Sequence, residues 1–213
     1  MIDFERVYDI SVALGTESTV WPGDPPYSRE LLSSIAAGGG WDLSLVTMTA
    51  HTGTHVDTPR HILADGARLD DYTPRDFILP AVVIEVGEVD VVAPEAVVAA
   101  DVPPGGAVLF KTPNSTTGRI AAGAFYDDGV ALSVGAARAC LDAGAKLVGI
   151  DYFSADVAES GNFPVHRLLM GAGVLILETI NLRDVPAGAY TLICLPLRLS
   201  GAEASPVRAV LLA

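Results

Sequence analysis

Three of the chain's four histidines fall in one eleven-residue run, His51-Thr52-Gly53-Thr54-His55-Val56-Asp57-Thr58-Pro59-Arg60-His61, with Asp57 between the second and third. No other feature limits the fold so tightly. On an ideal helix, residues four apart share a face and residues six apart do not. Gly53 and Pro59 also oppose a helix. On a straight strand, His51, His55, Asp57 and His61 would share one face. Yet at about 3.3 Å per residue the outer two would stand about 33 Å apart. Donors to one ion must lie within a few ångströms of one another. As a metal site, therefore, the segment has to fold back on itself, and Gly53 and Pro59 are where it can bend. Imidazoles and a carboxylate at this density are the standard donors for Zn²⁺, Mn²⁺ or Fe²⁺. The competing reading, three unrelated histidines in ordinary roles, suits a lone histidine better than this spacing.

Composition narrows the rest. The 213 residues suit one α/β domain spanning 1–213, and half of them are apolar, enough for a sizeable core. A net charge of −13 offers no basic patch to nucleic acid or to an anionic membrane. Met1–Arg6 has neither the basic nor the apolar region of a signal peptide, and the apolar runs fall short of the roughly 18–20 residues of a membrane span. The expected address is the cytoplasm. Cys140 and Cys194 lie in apolar surroundings and read as buried reduced thiols, with a disulfide between them left open.

Glycine and proline punctuate the chain as in a mixed α/β domain. Strands are expected at Val7–Leu14, Leu43–Ala50, Ala81–Val86, Ala107–Thr112, Leu147–Asp151, Val174–Glu178, Tyr190–Leu199 and Val207–Leu212. Helices are expected at Pro94–Ala100, from Ser133 as N-cap to about Ala143 with Gly144 as stop, and near His166–Met170. Strands outnumber helices and some connections are too short for crossovers, so the sheet should be mixed, with flanking helices around a single core.

Two distant residues join the histidine run as candidates. Glu178 closes the apolar stretch Val174–Leu177, where a carboxylate is costly unless paired or metal-bound. His166 stands twelve residues before it. With His61, these donors suit either one metal or two. Asp24, Asp151 and Asp156 read either as carboxylates orienting the histidines or as turn and strand-end residues, Asp24 better as the latter. Gly38-Gly39-Gly40 is a flexible loop, since no Lys-Ser/Thr follows it to make a phosphate cradle. Ser133, Ser154 and Cys140 lack a nucleophile-elbow context.

Several further segments carry a resemblance. They are Trp21-Pro22-Gly23-Asp24, the 51–61 run, Gly149-Ile150-Asp151 with Ser154 and Asp156, and His166 with Glu178. To these add Ala187-Gly188-Ala189-Tyr190, Leu195-Pro196-Leu197 and Ala204–Val210. With them the chain resembles, nearly end to end, the metal-dependent cyclase/hydrolase family that includes bacterial kynurenine formamidase. The resemblance implies a β/β/α swivelling-type cyclase fold, dimeric or tetrameric, with the site near a subunit interface. It implies that His51, His55 and Asp57 hold one Zn²⁺ or Mn²⁺ ion. Asp57 and Glu178 would bridge to a second ion held by His166. His61 would donate and accept the proton, and Trp21 would contact the substrate's ring. Tyr152-Phe153, Ser160–Pro164 and Lys111–Ser115 depart from the formamidase pattern and are expected at the pocket or its rim.

Three functions follow. The first is a metal-dependent amidohydrolase acting on a small aryl formamide, N-formylkynurenine being the best single guess, with formate and an aryl amine as products. The second opens a cyclic amide or lactone such as isatin, with Mn²⁺. The third is a catalytically silent metal-binding protein. A complete donor set plus a spare histidine at position 61 argues against the third.

Overall fold

The computed structural model describes residues 4–158 and 160–213. Its strands are β1 (Val7–Asp9), β2 (Ser28–Ser33), β3 (Leu43–Thr47), β4 (His55–Asp57), β5 (Ile78–Glu85), β6 (Val91–Val92), β7 (Ala107–Lys111), β8 (Ala131–Leu132), β9 (Leu147–Ile150), β10 (Leu175–Glu178), β11 (Gly188–Ile193), β12 (Ala204–Pro206) and β13 (Val210–Leu212). The α-helices are α1 (Pro94–Val98), α2 (Pro113–Thr116), α3 (Val134–Asp142) and α4 (Pro164–Gly171).

Nine strands form one mixed sheet in the order β1-β13-β11-β5-β7-β9-β10-β4-β12. Its centre, β5-β7-β9-β10, is parallel and both flanks are antiparallel. β7, β9 and β10 are buried along their whole length. Their uninterrupted apolar runs are what a sheet covered on both faces requires. Alternation then divides the side chains. Val108, Phe110, Val148, Ile150 and Ile176 pack with Ala137, Cys140, Val165 and Leu169 of α3 and α4. Leu109, Leu147, Leu175 and Leu177 point the other way. Val56 from one flank and Leu192 and Leu211 from the other join that second cluster, so the sheet curls around it. Cys140 and Cys194 are both free and sit in different clusters, which rules out the disulfide.

Several expected elements stop short, each for a local reason. The first strand ends at Asp9, and the Val12 N–H turns away to Thr54 Oγ1 (3.0 Å). The strand from residue 188 ends at Ile193, short of Pro196, which cannot donate to a ladder. The Ser133 helix forms as expected, with the Ser133 hydroxyl accepting the Ala136 N–H at 3.0 Å, and ends at Asp142. β3 ends at Thr47 and pairs only with β2, in a ribbon outside the main sheet. β2 itself is not expected from the sequence: SRELLS is exposed and lacks β-branched residues. Among the described residues, no helix is long and apolar enough to cross a membrane.

Candidate metal centre

The histidine run folds back at the two places where it can. After β3 the chain turns at Ala50–Thr54, with Gly53 at φ +68°. That backbone conformation calls for glycine, and a Cβ there would also displace the Leu14 side chain, whose Cδ2 would lie 2.5 Å away. β4 follows. Its alternation sends Val56 into the second core and sets His55 and Asp57 together on the opposite face. Pro59 then opens a 3₁₀ turn, Pro59–His61, that carries His61 back beside His51, with ring centroids 4.3 Å apart.

Antiparallel pairing brings in the distant residues. β10 lies against β4 with Glu178 opposite His55, so Glu178 shares the face of His55 and Asp57. α4 packs over that face and carries His166, whose Nε2 stands 3.2 Å from Glu178 Oε1 and 3.9 Å from Asp57 Oδ2. The structure thus gathers His51, His55, Asp57, His61, His166 and Glu178 in one place. Glu178 is 4% exposed, not in open solvent.

Both Asp57 oxygens and His55 Nε2 are buried without a hydrogen-bond partner. His51 Nδ1 lies 3.0 Å from Asp57 Oδ1, but off-line for a hydrogen bond. Unpaired polar atoms at this depth are costly, and a cation among them removes the cost. The spacing fits as well. Two donors each about 2.1 Å from a tetrahedral ion stand about 3.4 Å apart. His55 Nε2 is 3.4 Å from Asp57 Oδ1 and 3.4 Å from Glu178 Oε2. Asp57 and Glu178 each turn one oxygen toward His55 and the other toward His166. That is the disposition of carboxylates spanning two positions. His51, Asp57 and His61 form a second compact donor group that shares Asp57 with the first, so the geometry also admits His61 as a ligand.

Outer contacts orient the imidazoles. His55 Nδ1 lies 2.8 Å from the Gly53 carbonyl, which leaves Nε2 as the free donor. His166 Nδ1 lies 2.6 Å from Asp156 Oδ2, and the same carboxylate accepts the backbone N–H groups of Val165 and His166. Asp156 is therefore the carboxylate that aims His166. Asp151 is not near the donors in this way; it accepts from Thr112, Asn114 and Ser115. Glu203, which the sequence reading passed over, lies 3.4 Å from His51 Nε2. It arrives on the strand edge beside β4, a placement no local pattern announces.

Charges in this cluster shift strongly. Burial disfavours a charged His55, but Asp57 and Glu178 outweigh it and raise the imidazole to about 9. Burial likewise opposes charge on His166, and Glu178 and Asp156 lift it to about 10. Burial pushes Asp57 and Glu178 upward, yet the neighbouring imidazoles hold both below the usual carboxylate range. His61 goes the other way. Burial lowers it; Asp57 pulls it up, and the imidazoles of His51 and His166 push it down.

His51, His55, His61, His166 and Glu178 line a cleft of about 280 Å³, together with Thr19, Trp21, Asp24, Phe153, Ser154, Phe163 and Thr179. Trp21 packs edge-on against Phe125 (5.2 Å), and Phe125 against Phe153 (5.3 Å), so the wall is aromatic. The turn Trp21-Pro22-Gly23-Asp24, closed by Asp24 N–H to Trp21 O at 3.0 Å, shows both its end residues to the cleft. Asp24 keeps the turn role expected of it and also lines the cleft. Phe153 and Phe163 lie at the pocket as expected; the other departing segment does not. Tyr152 is fully buried, with its hydroxyl donating to Tyr126 O. Lys111 is buried with its amine on Val185 O, and Thr112–Ser115 wrap Asp151.

Comparison with known proteins agrees with this geometry. The model of the putative cyclase family matches residues 8–157. The kynurenine formamidase of Salinibacter ruber is 37% identical over 209 residues, covering 95% of each chain. A solved potential metal-dependent hydrolase with cyclase activity superposes with a TM-score of 0.82 at 31% identity, over 97% of this chain and 96% of that one. Isatin hydrolase A from Ralstonia solanacearum superposes with a TM-score of 0.83 at 25% identity, over 98% of this chain and 92% of that one.

Proposed function

This chain belongs to the cyclase family and is a hydrolase of C–N bonds outside peptides, and on that premise we propose that it cleaves aryl formamides, N-formylkynurenine first among them. The observation that carries the reading is the set of buried, unpartnered donor atoms of His55, which lines an aromatic-walled cleft, and of Asp57 beside it. His51, His55, Asp57, His166 and Glu178 would hold one or two Zn²⁺ or Mn²⁺ ions, which supply Lewis acidity and make water nucleophilic near neutral pH. The chain's own residues do the rest. Trp21 and Phe153 pack against the substrate's ring. His61, held below its ordinary pKa, is neutral at pH 7 and takes the proton of the attacking water. It then returns that proton to the departing aniline nitrogen, and formate and the aryl amine leave.

One feature favours an amine-bearing substrate over a neutral bicyclic amide such as isatin. Asp24 lines the cleft, where its carboxylate would pair with a substrate ammonium group. Turnover by metal-reconstituted protein on formamides, cyclic amides and lactones decides the matter. Formate release from N-formylkynurenine is expected to lead the panel; faster opening of isatin would transfer the assignment to the second class.

The same reading includes a homodimer or homotetramer. Support comes from the β2–β3 ribbon, whose Leu31, Leu32, Ile35, Trp41, Leu43, Leu45 and Val46 are exposed. An isolated two-stranded ribbon is marginal in water, and a second copy would cover it. Light scattering that finds a monomer at working concentration would remove this part.

A further inference from the structure

Backbone strain among the described residues collects at one place. Among the described residues, the non-glycine residues with positive φ are Phe163 (+49°) and Thr179 (+57°), and both line the cleft. They come from different elements: Phe163 caps α4, and Thr179 directly follows Glu178 at the end of β10. For a β-branched or bulky side chain this conformation is an outlier that glycine would adopt freely. Both backbones are pinned. The Thr179 N–H donates to Tyr152 O (2.9 Å), and its carbonyl accepts Thr54 Oγ1 (2.6 Å). The Phe163 N–H donates to Ser160 O (3.0 Å), and its carbonyl accepts the Arg167 N–H (2.9 Å). The backbone path therefore needs the positive φ but not these side chains.

What the side chains do is shape the cleft. Phe163 is 41% exposed and sets its ring edge-on to His166, with centroids 5.9 Å apart, so it adds little to the core. Thr179 is 3% exposed, follows Glu178 in the chain and lines the same cleft. Strain kept at a ligand-facing position marks a residue held for its side chain. We infer that Phe163 and Thr179 are specificity-determining residues. Phe163 closes the aromatic wall over the substrate's ring, and Thr179 Oγ1 hydrogen-bonds the amide beside Glu178. This rests on the aryl-amide reading above.

The test uses metal-loaded protein with formanilide, ring-less N-methylformamide as its comparison, and acetanilide as a binding probe. Phe163→Gly should lower the formanilide to N-methylformamide ratio of kcat/KM about tenfold, mostly through KM. Thr179→Gly should raise Tm by about 2–4 °C as strain is relieved, yet lower kcat/KM for formanilide about tenfold. Thr179→Ser, which keeps the hydroxyl, should restore most of that loss. An unchanged ratio in Phe163→Gly overturns the inference, as does full activity or a lowered Tm in Thr179→Gly. If the wild type binds acetanilide but cleaves no aryl formamide, the amidase reading fails. The inference then stands on weaker acetanilide binding by Phe163→Gly. A wild type that binds no acetanilide overturns it.

Discussion

Among the described residues two aspartates are completely buried, Asp57 and Asp151, and they live differently. Asp151 accepts hydrogen bonds from the Thr112 backbone (2.8 Å) and hydroxyl (2.7 Å), the Ser115 backbone (3.1 Å) and the Asn114 amide (3.4 Å). Those bonds tie the start of α2 to the end of β9, and every donor comes from the protein. Asp57 faces His51, His55 and His166, and neither of its oxygens has a hydrogen bond. Burial raises Asp151 even against its hydrogen bonds, whereas the His55 charge holds Asp57 down against burial. A buried carboxylate whose partners are all supplied by the chain is part of the scaffold. One surrounded by imidazoles and left without a hydrogen bond is built for something the chain does not contain.

The sharpest way to break this contrast is the same isosteric change at both sites. Asp57→Asn should reduce bound metal, measured by elemental analysis, to background and abolish turnover. Asp151→Asn should keep its metal stoichiometry when folded. It would lose about 2–4 kcal/mol of stability, because an amide NH₂ then meets N–H donors. Equal metal loss in the two variants would erase the distinction. Next in size is His61→Ala. Turnover should fall about 10²–10⁴-fold with most of the metal retained, as for lost general acid–base catalysis. Complete metal loss would instead make His61 a ligand with His51 and Asp57.

The pH response follows from the raised imidazoles. Below about 9 and 10, respectively, His55 and His166 each hold a proton that an incoming cation must displace. Metal affinity should therefore fall as pH falls, by up to about 100-fold per unit where two protons leave. Calorimetry in buffers of different ionisation enthalpy counts those protons, and a proton-free binding event would refute the picture. In the metal-free protein the sign reverses. The two imidazoles add stability that is fully present below their ordinary pKa of 6.5 and is lost as pH rises through about 9 to 10. Denaturant midpoints across that range test it. Smallest is Asp156→Asn, which weakens the hold on His166 without removing a ligand. Metal affinity should drop about 10–100-fold, with the rate of the fully loaded enzyme little changed.

Much of this was legible in the chain. The density of donors in 51–61, the bends at Gly53 and Pro59, the apolar runs of the central strands and the Ser133 cap are all local patterns. Exposed ribbon strand β2 was illegible because its sequence carries no alternation of buried and exposed residues. The Lys111–Ser115 segment looked like pocket rim, because its polar residues give no sign that a buried Asp151 gathers them. Asp156 and Asp151 could not be told apart in sequence. Each lies near the end of β9, and only the position of α4 makes one of them His166's partner.

Sequence alone determined the donor types, the bends that let them converge, and the burial of the strands, because these depend on residue chemistry and backbone freedom within a few positions. Tertiary structure decided the convergence itself. The antiparallel register of β10 on β4 sets Glu178 opposite His55, and α4 lays His166 across the same face. A register shift of one residue would send Glu178 to the opposite face, into the apolar core. That register is fixed by the packing of Val56, Leu175, Leu177 and their neighbours in the second core, which no short stretch of the chain contains.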